Sequence, residues 1–348
     1  MEHIAIDLGG RESQICVRSE QGTIVDEQRV QTCALKRWLK ARSPGRVIVE
    51  TCAESFGVAD AAMAAGHEVR VVPAALVRSL GVGQRGIKTD RRDAQVLSEV
   101  STRIDLPSVH IPSELSRQRK TLCGTREALV ECRTKLLNTV RGWLRSQTAR
   151  IRSGNADTFA RRVREHFAAR AVELPNFVQR QLLAIEQLTA QVIEADKELE
   201  QTASADPITS RLMTAPGVGP VTATRFVATL DEVGRFPDAH RVESYTGLTP
   251  GENSSSNRVR RTSITKAGST QLRWALVQAA WAARRFRPHD PMVLWSLEVE
   301  KRRGKRVAVV ALARKLAGLL YAMWRDGTTY DPYRAADPPL LVGQAPIG

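Results

Sequence analysis

Four carboxylates near the start of this 348-residue chain, Asp7, Glu50, Asp90 and Asp93, have the types and spacing that metal-assisted chemistry requires. Asp7 closes the apolar run IAID and Glu50 closes VIVE, so each is expected at the end of a short buried strand. Asp90 and Asp93 stand three residues apart in KTDRRDA, where a helical pattern begins, and positions i and i+3 share a helix face. Carboxylate oxygens suit Mg²⁺, and one or two such ions stabilise the attacking and leaving oxygens of a displacement at phosphorus. Singly, the acids have plainer readings, with Asp90 as a helix cap and Asp93 paired to a neighbouring arginine. Their order along the chain favours the joint reading.

The elements that must position these acids follow from the patterning. HIAIDLG reads as a strand, SQICVRS and GTIVDEQRV as its hairpin partners, and LKRWLKAR as a helix. RVIVET is a second buried strand, ESFGVADAAMAAG a helix ending at Gly66, and EVRVVP a third. A strand meander followed by alternating helix and strand is the order of a ribonuclease-H-like core, which places Glu50 beside Asp7. The DLGG segment also fits the phosphate loop of an actin-like sugar kinase, but no second glycine-rich adenosine motif follows it.

Charge identifies the partner class. Lys and Arg number 52 against 37 Asp and Glu, a net charge of +15, so a polyanion is expected. Arginine far outnumbers lysine, which favours bidentate contacts to phosphate and base edges. We read no apolar span of about 18 residues and no leader, and so expect no membrane and a cytoplasmic location. Five scattered cysteines without CxxC spacing argue against zinc or a disulfide framework.

Three further segments are expected after residue 112: a helical, coiled-coil-like arm over 113–204, a mostly helical domain over 205–335, and a flexible tail over 336–348. In the arm, Leu182, Ile185, Leu188, Val192 and Leu199 fall on one face, which suits either an intramolecular helix pair or a dimerisation arm. PGVGP at 216–220 resembles the hairpin of a helix-hairpin-helix element, in which Gly217 and Gly219 let backbone N–H groups approach a phosphate. A plain turn between helices is the alternative. The loop Ser254-Ser255-Ser256-Asn257-Arg258 is the second chemical candidate, because Arg258, Arg260, Arg261 and Lys266 could clamp a phosphate beside a serine hydroxyl. Arg302, Arg303, Lys305 and Arg306 form a basic cluster suited to a nucleic-acid backbone. Trp274, Trp281, Trp295 and Trp324 read as core.

With these parts in order, the chain resembles the DEDD-type insertion-sequence transposases, a family that includes the pilin-gene invertase and the bridge-RNA-guided recombinases. IAIDLGG, VIVET and KTDRRDA match its RuvC-like acidic motifs; PGVGPVTA, YTGLTPGENSSS and ITKAGSTQLRWALVQAA match its second, transposase domain. The resemblance implies that Asp7, Glu50, Asp90 and Asp93 hold Mg²⁺ and that a serine forms a covalent phosphoserine link to DNA. That serine aligns with Ser255, although Ser256 occupies the position of the family's usual glycine, and Ser254 is the next candidate. It also implies a homodimer or homotetramer with active sites shared between protomers, donor and target DNA as substrates, and a noncoding bridge RNA as guide. A hydrolytic junction resolvase that uses the acids alone is the alternative function.

Overall fold

The computed structural model describes residues 1–79, 89–253 and 261–333, and the chain divides into two units, Met1–Pro112 and Ser113–Gly348.

In the first unit β1 (His3–Asp7), β2 (Glu12–Arg18) and β3 (Ile24–Gln31) form an antiparallel meander. After α1 (Leu35–Lys40), strand β4 (Arg46–Glu50) lies parallel to β1; after α2 (Ser55–Ala64), β5 (Glu68–Val72) lies parallel to β4. The resulting sheet order is β3-β2-β1-β4-β5, the meander-then-parallel arrangement that the sequence pattern predicts. Helices α3 (Ala74–Ser79) and α4 (Asp90–Arg103) follow.

Side chains alternate across a strand, so the sheet presents two different faces. Ile4, Ile6, Ile15, Val17, Val47, Val49 and Val71 point to one side, where Leu35, Leu39, Val58 and Ala62 cover them in an apolar layer. Ala5, Ile48 and Val72 point to the other, beneath Leu97 of α4 together with Val77 and Leu106.

The second unit begins with α5 (Glu114–Ser146), which starts on a Ser113 cap, followed by α6 (Phe159–Ala168) and α7 (Asn176–Ala205). Helices α5 and α7 run antiparallel: Arg119 pairs with Asp206, Arg126 with Asp196, and Leu137 and Leu144 pack with Val178 and Leu182. Leu182, Ile185, Val192 and Leu199 are buried and Leu188 is half-buried, so this stripe faces the chain's own helices. Next come α8 (Pro207–Leu212), α9 (Pro220–Leu230), α10 (Ala239–Tyr245), the ribbon β6 (Pro250–Glu252) and β7 (Arg261–Ile264), α11 (Thr270–Phe286), α12 (Pro291–Arg303) and α13 (Lys305–Asp326). The sequence reading divides this region at residue 204. In the structure the two parts share one unit, because Ser116 Oγ donates to Ala228 O, Arg225 pairs with Glu127, and Arg119 reaches the Asp206 cap of α8.

Helix α13 corrects another expectation. It is long and apolar enough to cross a membrane by composition, a span the sequence reading passed over. Its apolar residues Leu312, Leu316, Leu320 and Tyr321 are buried against Leu212, Phe226, Leu276 and Met292, as in the core helix of a helical body. Burial of this kind contributes about 1.5–3 kcal/mol per large side chain, which explains the composition without a bilayer.

Candidate active site

The sheet places Asp7 and Glu50 side by side. Strands β1 and β4 pair in parallel from His3–Arg46 to Ile6–Val49, and the two acids stand one position further along each strand. Neighbouring strands lie about 4.8 Å apart, so two carboxylates at one level of a parallel pair face the same space. By alternation they share the face that carries Ala5 and Ile48, which is the face covered by α4.

Hydrogen bonds fix how α4 crosses that face. His3 Nδ1 and Ser101 Oγ are 2.8 Å apart, and Ser98 Oγ donates to Cys16 Sγ, the residue paired with Ala5. Stepping back along the helix from Ser101 to Ser98 therefore moves up β1 from His3 toward Ala5. Eight residues of helix rise about 12 Å, and four residues of strand about 13 Å. The same run carried on brings Asp93 to the level of Asp7. Asp93 is buried, on the stripe that includes Leu97 and Val100, whereas Asp90 is exposed in the first turn. The helix cap is Thr89, whose hydroxyl accepts from Arg92 N, so Asp90 does not serve as the cap.

Carboxylate oxygens are the donors a hard divalent cation takes: two belong to one face of the sheet, Asp93 lies over that face on the covering helix, and Asp90 stands in that helix's first turn. Among the described residues, no group of three or more His, Cys, Asp or Glu side chains is gathered closely enough to hold a metal ion. The structure therefore places Asp7 with Glu50 and sets Asp93 over their face, without drawing the four acids into one cluster.

In the second unit the ribbon β6–β7 brackets the serine loop, with Pro250 opposite Ile264 and Glu252 opposite Arg261. Ser254, Ser255, Arg258 and Arg260 lie outside the described residues, as does the side chain of Arg261. The root of the ribbon is a tight backbone crossing. A Cβ on Gly268 would sit 1.9 Å from Tyr245 O, and one on Gly247 would sit 2.6 Å from Ala267 N. Both motif glycines thus hold the two flanks of the serine loop together. Lys266, exposed and at φ +57°, belongs to this turn and is held by its N–H donating to Gly247 O.

PGVGP has a packing role beside the phosphate contact expected of it. Gly217 has φ +74°, and a Cβ there would sit 2.1 Å from Ala279 O and 2.5 Å from Ala283 N. Its bare backbone is required by contact with α11, which is a packing role. Gly219 caps α9 and faces open space. Arg302, Arg303, Lys305 and Arg306 are all exposed at the corner between α12 and α13, with the Lys305 ammonium 5.3 Å from the Trp281 ring centre. The tryptophans also differ from the core reading: Trp274 is 52% exposed and Trp281 and Trp295 are 38% exposed, while Trp324 packs edge-on against Phe226. Their helices bury the alanine and leucine sides, which a count of apolar residues does not distinguish from the aromatic ones.

Comparison with known proteins finds relatives along most of the chain. Residues 4–148 match the IS110-type DEDD family described as Transposase, and residues 209–292 match the family described as Transposase IS116/IS110/IS902. The transposase for insertion sequence element IS1111A of Coxiella burnetii is 27% identical, the match covering 94% of this chain and 90% of that protein. A probable family 20 transposase of Pseudomonas aeruginosa is 26% identical over 95% of this chain and 99% of its own length. The transposase for element IS1328 of Yersinia enterocolitica is 27% identical over 94% and 98% respectively. With an acid-bearing sheet unit in the first matched segment and a helical unit around the second, the chain belongs to the DEDD-type insertion-sequence transposases.

Proposed function

We propose that this protein is a site-specific DNA recombinase of an insertion sequence that cuts and rejoins strands through a covalent phosphoserine. The observation that carries the reading is the placement of Asp7 and Glu50 at adjacent strand ends, on the face crossed by the helix that bears Asp93. Asp7, Glu50, Asp90 and Asp93 would hold one or two Mg²⁺, whose chemistry is to neutralise the charge that builds on the phosphate oxygens. Ser255 Oγ attacks phosphorus, an O–P bond forms, the bond to one strand's ester oxygen breaks, and that oxygen departs as a hydroxyl with a proton replacing the one the serine gives up. Arg258, Arg260, Arg261 and Lys266 balance the phosphate's charge, and Gly219, Arg302, Arg303, Lys305 and Arg306 hold the flanking backbone. Attack on the phosphoserine by a second strand's hydroxyl reseals DNA without ATP, because the intermediate keeps the ester bond energy. A noncoding bridge RNA pairing with donor and target supplies sequence choice, and a dimer or tetramer lets one protomer's serine serve another's acids.

The test uses purified protein, flanking noncoding RNA, Mg²⁺ and labelled donor and target DNA, with the products denatured. A protein–DNA adduct that maps to Ser255 and needs Mg²⁺ supports the reading. Free cut ends without an adduct would instead establish the hydrolytic resolvase, and an adduct on Ser254 would move the nucleophile by one residue.

A further inference from the structure

A groove in the second unit is used by neither the acids nor the serine ribbon. It lies between α5 and the start of α11, with α9 beneath, and consists of two adjoining cavities of about 640 Å³ and 920 Å³. The cavities share Cys123, Gly124, Glu127, Arg225 and Gln271, so they are continuous. One end is walled by Tyr245, Ala267 and Gly268, at the root of the β6–β7 ribbon. The other is walled by Trp274, with Asn138 and Lys135 facing it from α5.

Three features select an occupant. Trp274 offers a half-exposed aromatic ring at the groove wall beside the side-chain amides of Gln271 and Asn138. A nucleobase stacks on such a ring and finds hydrogen-bond partners at its edge. The charge is positive on balance: with Arg126 paired to Asp196 and Arg225 to Glu127, the lysines Lys120 and Lys135 stand against Glu131 alone. Gly124 sits in the interior of the 33-residue helix α5, where glycine costs about 1 kcal/mol against alanine. A Cβ at Gly124 would meet nothing within 4 Å, so the chain's own packing does not demand the glycine. Its effect is to leave the groove open where the two cavities join.

We propose that this groove holds an unpaired strand of DNA, with a base stacked on Trp274 and the sugar-phosphate backbone passing over Gly124 toward Lys120. The proposal rests on the recombinase reading, because a strand joined to the serine loop would run out along a groove that begins at the root of the ribbon. Duplex DNA carries its bases stacked on one another and has none to offer Trp274.

The test measures fluorescence anisotropy of a labelled oligothymidylate, a duplex of equal length and an oligouridylate on full-length protein, without Mg²⁺. Trp274→Ala and Gly124→Leu are each expected to weaken single-stranded DNA about tenfold, within the usual worth of one stacked base, and to leave duplex affinity unchanged. Gly124→Leu should also hold or raise the thermal midpoint, since leucine is the better helix former. Trp295→Ala, which removes another part-exposed ring, beneath Lys315 and outside the groove, should change nothing. Unchanged single-strand affinity in both groove variants overturns the proposal, as does an equal loss on duplex. Tighter binding of the uridylate overturns DNA as the occupant. Because no catalysis is involved, a missing serine adduct would sink the recombinase reading while this affinity stood, and the reverse outcome would sink the groove alone.

Discussion

The two units place polar chemistry in different ways. In Met1–Pro112 a strand's period of two sends every second residue to a known face: one face is mostly apolar, with Ser13, Asp26 and Gln28 toward its β2–β3 edge, while the other carries His3, Cys16, Asp7 and Glu50 beneath Ser98, Ser101 and Asp93 of α4. In the helical unit the core is larger and apolar, built on Phe226, Leu276, Leu316 and Tyr321, and its chemical residues stand on a ribbon, a groove and a helix corner. A sheet thus aims a side chain by register, whereas a helical body aims it by loops whose geometry no short pattern specifies.

The sharpest way to break that contrast is to remove one chemical group from each unit. Asp7→Asn should lower strand transfer by about 10²- to 10³-fold, the usual loss when a preorganised electrostatic stabiliser is removed, with its fold intact. Ser255→Ala should abolish the adduct outright. Denaturing gels of the labelled DNA check both. If Ser255→Ala cuts normally while Asp7→Asn does not, the chemistry belongs to the sheet unit alone.

Next in size is a substitution that separates packing from binding within PGVGP. Gly217→Val combines about 1–3 kcal/mol of left-handed backbone strain with about 1–3 kcal/mol of overpacking against α11. Calorimetry should show a midpoint lower by roughly 10 °C, at about 2–4 °C per kcal/mol for a unit of this size. Gly219→Ala faces open space and should leave the midpoint nearly unchanged. A loss of duplex affinity in Gly219→Ala would place a phosphate contact at the start of α9; no loss would make PGVGP a packing turn throughout.

This difference also explains what the sequence makes legible. IAID, VIVE and EVRVV announce buried strands because alternation and β-branching both require them, and the meander order then places Asp7 beside Glu50. The level of Asp93 is readable from its i, i+4 relation to Leu97, but its burial depends on the His3–Ser101 and Ser98–Cys16 bonds, which link residues far apart in sequence. Gly217 reads as a phosphate-binding position because a glycine motif looks alike whether a ligand or a backbone approaches it. Exposure of Trp274 is invisible for a related reason: composition marks a helix face as apolar without saying whether another helix covers it.

A smaller effect tests whether the α5–α7 hairpin belongs to the helical unit energetically. Asp206 both accepts Arg119 and caps α8 through Ile208 N. Asp206→Asn keeps a capping oxygen but removes the charge facing a mostly buried guanidinium, so a loss of about 1–3 kcal/mol is expected. One calorimetric transition covering 113–333 should shift as a whole. A separate low-temperature transition would mean that the hairpin folds as an arm of its own, as the sequence pattern alone suggests.

The smallest expected effect concerns the polar face of the sheet. Burial first, then the charge of Arg46 and the N-terminal amine, hold the His3 imidazole below the ordinary histidine pKa. The folded state therefore prefers neutral His3, and its stabilising contribution is complete above the unfolded value near 6.5. As pH falls through that value toward the lower folded one, the unfolded chain binds a proton that the native chain does not, and stability drops by at most about 1.4 kcal/mol per pH unit. Urea unfolding between pH 7 and 5 should show this loss in the wild type and a shallower slope in His3→Gln. Because Ser101 anchors the end of α4 to His3, hydrogen exchange should speed first in the last turns of that helix. Faster exchange confined to the helical unit would instead mean that its polar periphery, and not the acid-bearing face of the sheet, is where protonation loosens the molecule.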